Sequence, residues 1–141
     1  MKLIILLFFA VAIRLSESAF PLNTWHIHVV NGLSHNKMMF LRCQSKDDDL
    51  GEHNLTAGAE FSWKFKNNFF ERTRFWCYVR PLDAQKHADF DVFWCSDDLY
   101  YRCNYKNCTW IPKDDGIYIK NIPEKYDEPM HKWEQGLMYT D

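Results

Sequence analysis

The sequence predicts an all-β protein, a small secreted antiparallel β-sandwich of about seven or eight short strands held by two disulfides. Three observations carry this expectation. Apolar residues alternate with polar ones in run after run. Turn-forming residues separate the runs at short, regular intervals. The chain also opens on an export signal and keeps five cysteines behind it.

The strands follow in order. "TWHIHVV" places Trp25, Ile27 and Val29 on one face and His26 and His28 on the other. "MMFLRCQ" aligns Met39, Leu41 and Cys43, and "EFSWKF" aligns Phe61, Trp63 and Phe65. "RFWCYV" aligns Phe75, Cys77 and Val79, and "DFDVFW" aligns Phe90, Val92 and Trp94. "CTWI" and "GIYIKN" make two more strands, and "YDEPMHKW" fits a last edge strand, where Pro129 is tolerated. Turns are expected at Asn31-Gly32, Asp47–Gly51, Asn67-Asn68 and Asp114-Asp115-Gly116. Aromatic residues make up 17% of the chain, enough to fill the space between two sheets. No segment after the leader shows a sustained helical period.

Lys2 followed by the apolar run Leu3–Ile13 reads as a signal peptide, too short to span a bilayer. Ser16 and Ser18 suit a cut after Ser18, so 1–18 is the leader and 19–141 a single domain. The whole chain carries a net charge of −2; removing Lys2, Arg14 and Glu17 (net +1) leaves the mature part near −3. Such mild acidity does not point to nucleic acid or to an anionic membrane. Nor does any later segment suit membrane insertion. The five cysteines are Cys43, Cys77, Cys95, Cys103 and Cys108. Five is odd, so at most two bridges form within the chain and one thiol remains. Two glycosylation sequons occur, at Asn54 and Asn107, the second with a cysteine at its centre.

The run Asp47, Asp48, Asp49 precedes Leu50 and Gly51. It lacks the ligand order of a calcium loop and reads as a solvated turn, with Gly51 supplying positive φ. His26 and His28 share a strand face, and a metal site would need a third ligand from elsewhere. His35, His53, His87 and His131 are scattered. Cys95 is the expected spare thiol; His87 is near it in sequence, but a nucleophile pair needs contact that spacing does not supply. Arg72, Arg74 and Arg80 flank an aromatic strand and read as a solvated basic edge rather than a binding stripe. No catalytic signature, metal set or cofactor motif is expected, so the chain is not predicted to be an enzyme.

Four blocks in order, "LRCQSKDDDLG", "GAEFSWKFKNNFFERTRFWCYV", "FDVF" and "CNYKNCTWIPKDDGIYI", resemble the plant self-incompatibility protein S1 family, the S-protein homologues. The likeness runs from Trp25 to about Trp133. It implies a small secreted β-sandwich with two disulfides, acting as an extracellular signalling ligand recognised by a cell-surface membrane protein rather than as an enzyme. In poppy the best-known member type is secreted by the stigma and read by a pollen plasma-membrane protein. Carried over by motif, the framework cysteines are Cys43, Cys77, Cys103 and Cys108. Of the three connectivities that four cysteines allow, Cys43–Cys108 with Cys77–Cys103 is the expected one. Cys95 departs from the pattern and leaves room for a covalent dimer of an otherwise monomeric protein.

Recognition on a sandwich sits in its end loops. The candidates are Ser45–Ala57, Lys66–Thr73, Pro81–Asp89, Ser96–Lys106 and Pro112–Gly116, with Asp47, Asp48, Asp49, Asp114 and Asp115 as partner-binding residues. The alternative reading is a secreted binding module for glycans or small molecules, using exposed Trp and Tyr; a secreted hydrolase is the more distant one.

Overall fold

A computed structural model describes residues 23–67 and 72–137. The leader assigned to 1–18 lies outside them, as do Asn68 of one expected turn and residues 68–71 of one candidate loop.

Within these residues, ten strands build two five-stranded sheets. They are β1 (Asn23–Val30), β2 (Met39–Ser45), β3 (Asp49–Leu55), β4 (Glu60–Asn67), β5 (Phe75–Pro81), β6 (Lys86–Phe93), β7 (Asn107–Lys113), β8 (Gly116–Asn121), β9 (Tyr126–His131) and β10 (Glu134–Gln135). The first sheet has the order β4-β1-β7-β8-β9, and the second β10-β6-β5-β2-β3. All pairings are antiparallel except β1 with β7. The expected strands are all present, and β9, which carries Pro129, is indeed an edge.

Two strands exceed the expected seven or eight. β3 covers a stretch read as turn and loop: "DLGEHNL" is mostly polar and exposed because it forms the outer edge of the second sheet, where one side and one face meet water. β10 is only two residues long. A six-residue helix, α1 (Asp97–Arg102), was not expected either. It is under two turns, too short for a 3.6-residue period to register. Asp97 and Asp98 in its first turn and Arg102 in its last suit the helix dipole.

The inward faces follow the alternation. Trp25, Ile27, Val29, Met39, Leu41, Cys43, Cys77 and Val79 are almost completely buried. β6 departs from it. Phe75 pairs with Phe93 but Trp76 pairs with Asp91, so Val92 is the extra residue of a β-bulge. The bulge turns Phe93 inward directly after Val92, and both are buried, while Trp94 is only half-buried. Val92 has no partner in the ladder. Its carbonyl accepts a hydrogen bond from the Trp110 indole, Nε1 to O 2.9 Å, across the two sheets. Phe93 packs on Trp25 and Phe65, with ring centroids 5.2 and 4.7 Å apart.

Asn31-Gly32 is not a hairpin turn but the crossing from the first sheet to the second. Asn31 is buried, and its amide nitrogen donates to the carbonyls of Lys37 and Leu55, both at 2.9 Å. Its side-chain oxygen accepts from Leu33 N at 3.0 Å. Gly32 is required by close approach: a Cβ there would lie 2.6 Å from Ile111 Cγ2.

The disulfides are Cys43–Cys77 and Cys103–Cys108, which corrects the expected Cys43–Cys108 with Cys77–Cys103. β2 and β5 are neighbours, and their register sets Cys43 directly against Cys77, with Cα atoms 4.1 Å apart. Cys103 closes α1 and Cys108 lies in β7 five residues on, with Cα atoms 4.6 Å apart.

Two predictions follow from this framework. Loop-closure entropy ranks the bridges: separations of 34 and 5 residues correspond to about 4 and about 2 kcal/mol. Urea unfolding should therefore show a larger loss for Cys43→Ala/Cys77→Ala than for Cys103→Ala/Cys108→Ala, and the reverse order would contradict the pairing. Trp110→Phe should cost about 1–3 kcal/mol more than Trp25→Phe. The two indoles are equally buried, but the Trp25 Nε1 has no hydrogen-bond partner among the described residues. Equal losses would exclude a contribution from the Trp110 bond.

Candidate functional site

The five candidate aspartates do not form one surface. Strand directions and registers place Asp47, Asp48 and Asp49 at one end of the sandwich and Asp114 and Asp115 at the other.

At the first end, β2 and β3 are joined by the turn 46–48. Ser45 N donates to Asp48 O at 2.7 Å, and Asp48 N donates to Ser45 Oγ at 3.1 Å. Asp49 belongs to β3 rather than to the turn. Arg42 on the adjacent strand donates to both its oxygens, Nη2 to Oδ2 at 2.6 Å and Nε to Oδ1 at 3.3 Å. Gly51 N also donates to Oδ1 at 3.0 Å, with Gly51 at φ 86°, as expected for this glycine. The Arg42 guanidinium and then the Gly51 amide hold the Asp49 carboxyl below its ordinary pKa. The Cys43–Cys77 bridge stands one residue beyond Arg42. Asp47 and Asp48 are exposed, and their carboxylates have no protein partner among the described residues.

These two acids line an open cleft of about 410 Å³, shared with Lys46, Lys66, Arg72 and Arg74 and floored by Phe65 and Phe75. Arg74 is engaged by Asp91 at 2.7 Å and lies over the Trp76 ring, 4.7 Å from its centroid. Arg80 lies over Phe40 instead, away from the cleft. The cleft therefore presents mixed charge around an aromatic floor.

At the opposite end the acids are consumed internally. Asp114 accepts from Ser34 N at 3.1 Å and from Ser34 Oγ, and these bonds lower its pKa. Its carbonyl accepts from Lys86 Nζ at 3.0 Å. Asp115 accepts from the Tyr118 hydroxyl at 2.8 Å. Lys37 and Asp83 are 3.8 Å apart beside them. The candidate loop Pro81–Asp89 narrows to the residues before Lys86, where β6 begins, and Ser96–Lys106 contains α1.

The candidate chemical groups do not converge. His87 and Cys95 stand at opposite ends of β6; His87 is buried, with Nδ1 donating to Gly136 O at 2.7 Å. Cys95 lies outside both bridges and is exposed. Its sulfur accepts from Asn67 Nδ2 at 3.7 Å and faces Thr73 O at 3.9 Å. Burial and then the Cys95 contact push the Tyr100 hydroxyl well above its ordinary range. His26 and His28 stack on the outer face of the first sheet, centroids 6.5 Å apart. Among the described residues, no group of three or more His, Cys, Asp or Glu side chains could hold a metal ion. Sequence reading missed the Arg42–Asp49 pair, because the contact depends on the β2–β3 register and its shift between Arg42 and Gln44.

The depressed Asp49 value has a defined sign. Its stabilisation of the turn is present above the unfolded carboxylate value and is lost as pH falls through the lower folded one. Arg42→Met should raise the Asp49 midpoint towards the ordinary range in an NMR titration, and an unmoved midpoint would refute the pairing.

Three comparisons bear on this architecture. Residues 26–133 match the family model of the plant self-incompatibility protein S1. S-protein homolog 1 of Arabidopsis thaliana is 42% identical over 115 residues, covering 82% of this chain and 75% of that protein. Self-incompatibility protein S1 of Papaver rhoeas is 29% identical over 104 residues, covering 74% and 73%. A solved structure of SPH (self-incompatibility protein homologue) proteins, described as a widespread family of small, highly stable, secreted proteins from plants, superposes with a TM-score of 0.61 at 22% identity. It covers 82% of this chain and 98% of that one, and shows the same fold. With the sandwich, the two bridges and the family match in agreement, the chain belongs to the plant self-incompatibility protein S1 family, the S-protein homologues.

Proposed function

We propose that this protein is exported, with 1–18 as its leader, and acts without catalysis as an extracellular signalling ligand for a cell-surface protein. The observation that carries the reading is the Lys46–Asp48 turn. It is anchored on one side by the Arg42–Asp49 pair and the Cys43–Cys77 bridge, yet its two carboxylates are exposed and unpartnered among the described residues. A rigid scaffold that spends its interior bonds on holding a charged turn is suited to recognition, because little ordering entropy remains to be lost on binding. The mixed charges and aromatic floor of the adjoining cleft suit a protein partner with charges of both signs at its rim. Family membership and the likeness to self-incompatibility protein S1 of Papaver rhoeas favour a role in recognition between cells.

The test is binding of labelled, oxidised 19–141 to intact pollen, root and leaf cells of the source plant, with unlabelled protein as competitor. Saturable binding that protease treatment of the cells removes is the expected result. Asp47→Lys/Asp48→Lys should compete at least about tenfold less well, ~1.4 kcal/mol. Asp83→Lys, at the opposite end, should compete normally. If both variants compete alike, the acid turn is not the contact. Competition by soluble glycans in place of protein would favour the binding-module reading.

A further inference from the structure

Of the two sequons, we infer that Asn54 carries an N-linked glycan and Asn107 does not. The inference rests on the export reading, since only an exported chain meets the transferase. Asn54 and Thr56 are both exposed, with Leu55 turned into the core between them. Asn54 lies on β3, the edge of its sheet, with β2 as its single neighbour; Phe40 is its register partner. The strand end and the turn after it leave the sequon open on the outer face and along the edge.

Asn107 is placed differently. It begins β7, an interior strand of the first sheet, flanked by β1 and β8. His28 Nε2 donates to its side-chain oxygen at 3.1 Å, while His28 Nδ1 lies 2.7 Å from Glu60 Oε2. Its own backbone N donates to Cys103 O at 2.9 Å. The middle residue of the sequon, Cys108, is buried and bridged to Cys103. Closing that short loop needs no distant strand, so the bridge forms early and ties down the middle residue of the sequon before the transferase can engage it. The Asn54 glycan would cover unpaired backbone groups of an edge strand and so block edge-to-edge association. It would also stand five residues along β3 from Asp49, roughly 17 Å, leaving the acid turn uncovered.

The experiment secretes the full chain from plant cells, beside a copy of 19–141 behind an unrelated secretory leader. Intact mass is read before and after peptide-N-glycosidase treatment. One glycan is expected, absent from Asn54→Gln and from Thr56→Ala and kept in Asn107→Gln. A glycan that survives in Asn54→Gln, two glycans, or none in the leader-swapped chain would overturn the inference. Glycosylation behind the unrelated leader without secretion from the chain's own leader would overturn the export reading alone.

Discussion

The hydrogen bond from the Trp110 indole to the Val92 carbonyl is the contact on which the packing of the two sheets turns. A buried carbonyl left out of its ladder costs free energy comparable to a lost hydrogen bond. The bulge in β6 creates such a carbonyl, and a tryptophan from the opposite sheet supplies the donor. The same extra residue rotates Phe93 into the space between the sheets, where it meets Trp25, Phe65 and Tyr100. Bulge, aromatic core and inter-sheet bond are thus one device: without the bulge Phe93 would face outward and Trp110 would have no acceptor.

A second buried polar group, the Asn31 side chain, plays the corresponding part at the end of the sandwich where the chain changes sheets. Its bonds to Lys37, Leu55 and Leu33 tie the crossing segment to the approach to β2 and to the end of β3. With Gly32 pressed against β7, this junction sets how β2 enters the second sheet. The consequence is carried along β2 to its far end. There the register with β5 makes the Cys43–Cys77 bridge, and the register with β3 brings Arg42 to Asp49. The acid turn is therefore held by contacts whose positions are decided at the opposite pole of the molecule.

The two ends of the sandwich consequently differ in what they offer a partner. Around Asp114 the charges are turned inward, onto Ser34 and the neighbouring backbone, and knit that end together. Around Asp47 and Asp48 the backbone is bonded and the side chains are left exposed beside a cleft of mixed charge. Two acidic turns that read alike in sequence differ because the Ser34 hydroxyl and amide bond the Asp114 carboxylate, whereas those of Ser45 bond only the backbone of Asp48.

Strand identity was legible in the sequence wherever one face is buried, because a period of two residues is imposed by the pleat itself. Trp25, Ile27 and Val29, or Met39, Leu41 and Cys43, announce their strands without any tertiary information. The family blocks were equally plain, and they name the cysteine framework residue by residue. β3 was hidden because an edge strand with a solvated face has no apolar alternation to display, and α1 because it is shorter than two turns. Cysteine pairing, the inward turn of Phe93, the split of the aspartates between two poles and the Arg42–Asp49 contact were decided only in three dimensions. Each depends on which strands become neighbours and in what register, a long-range choice that local periodicity does not contain.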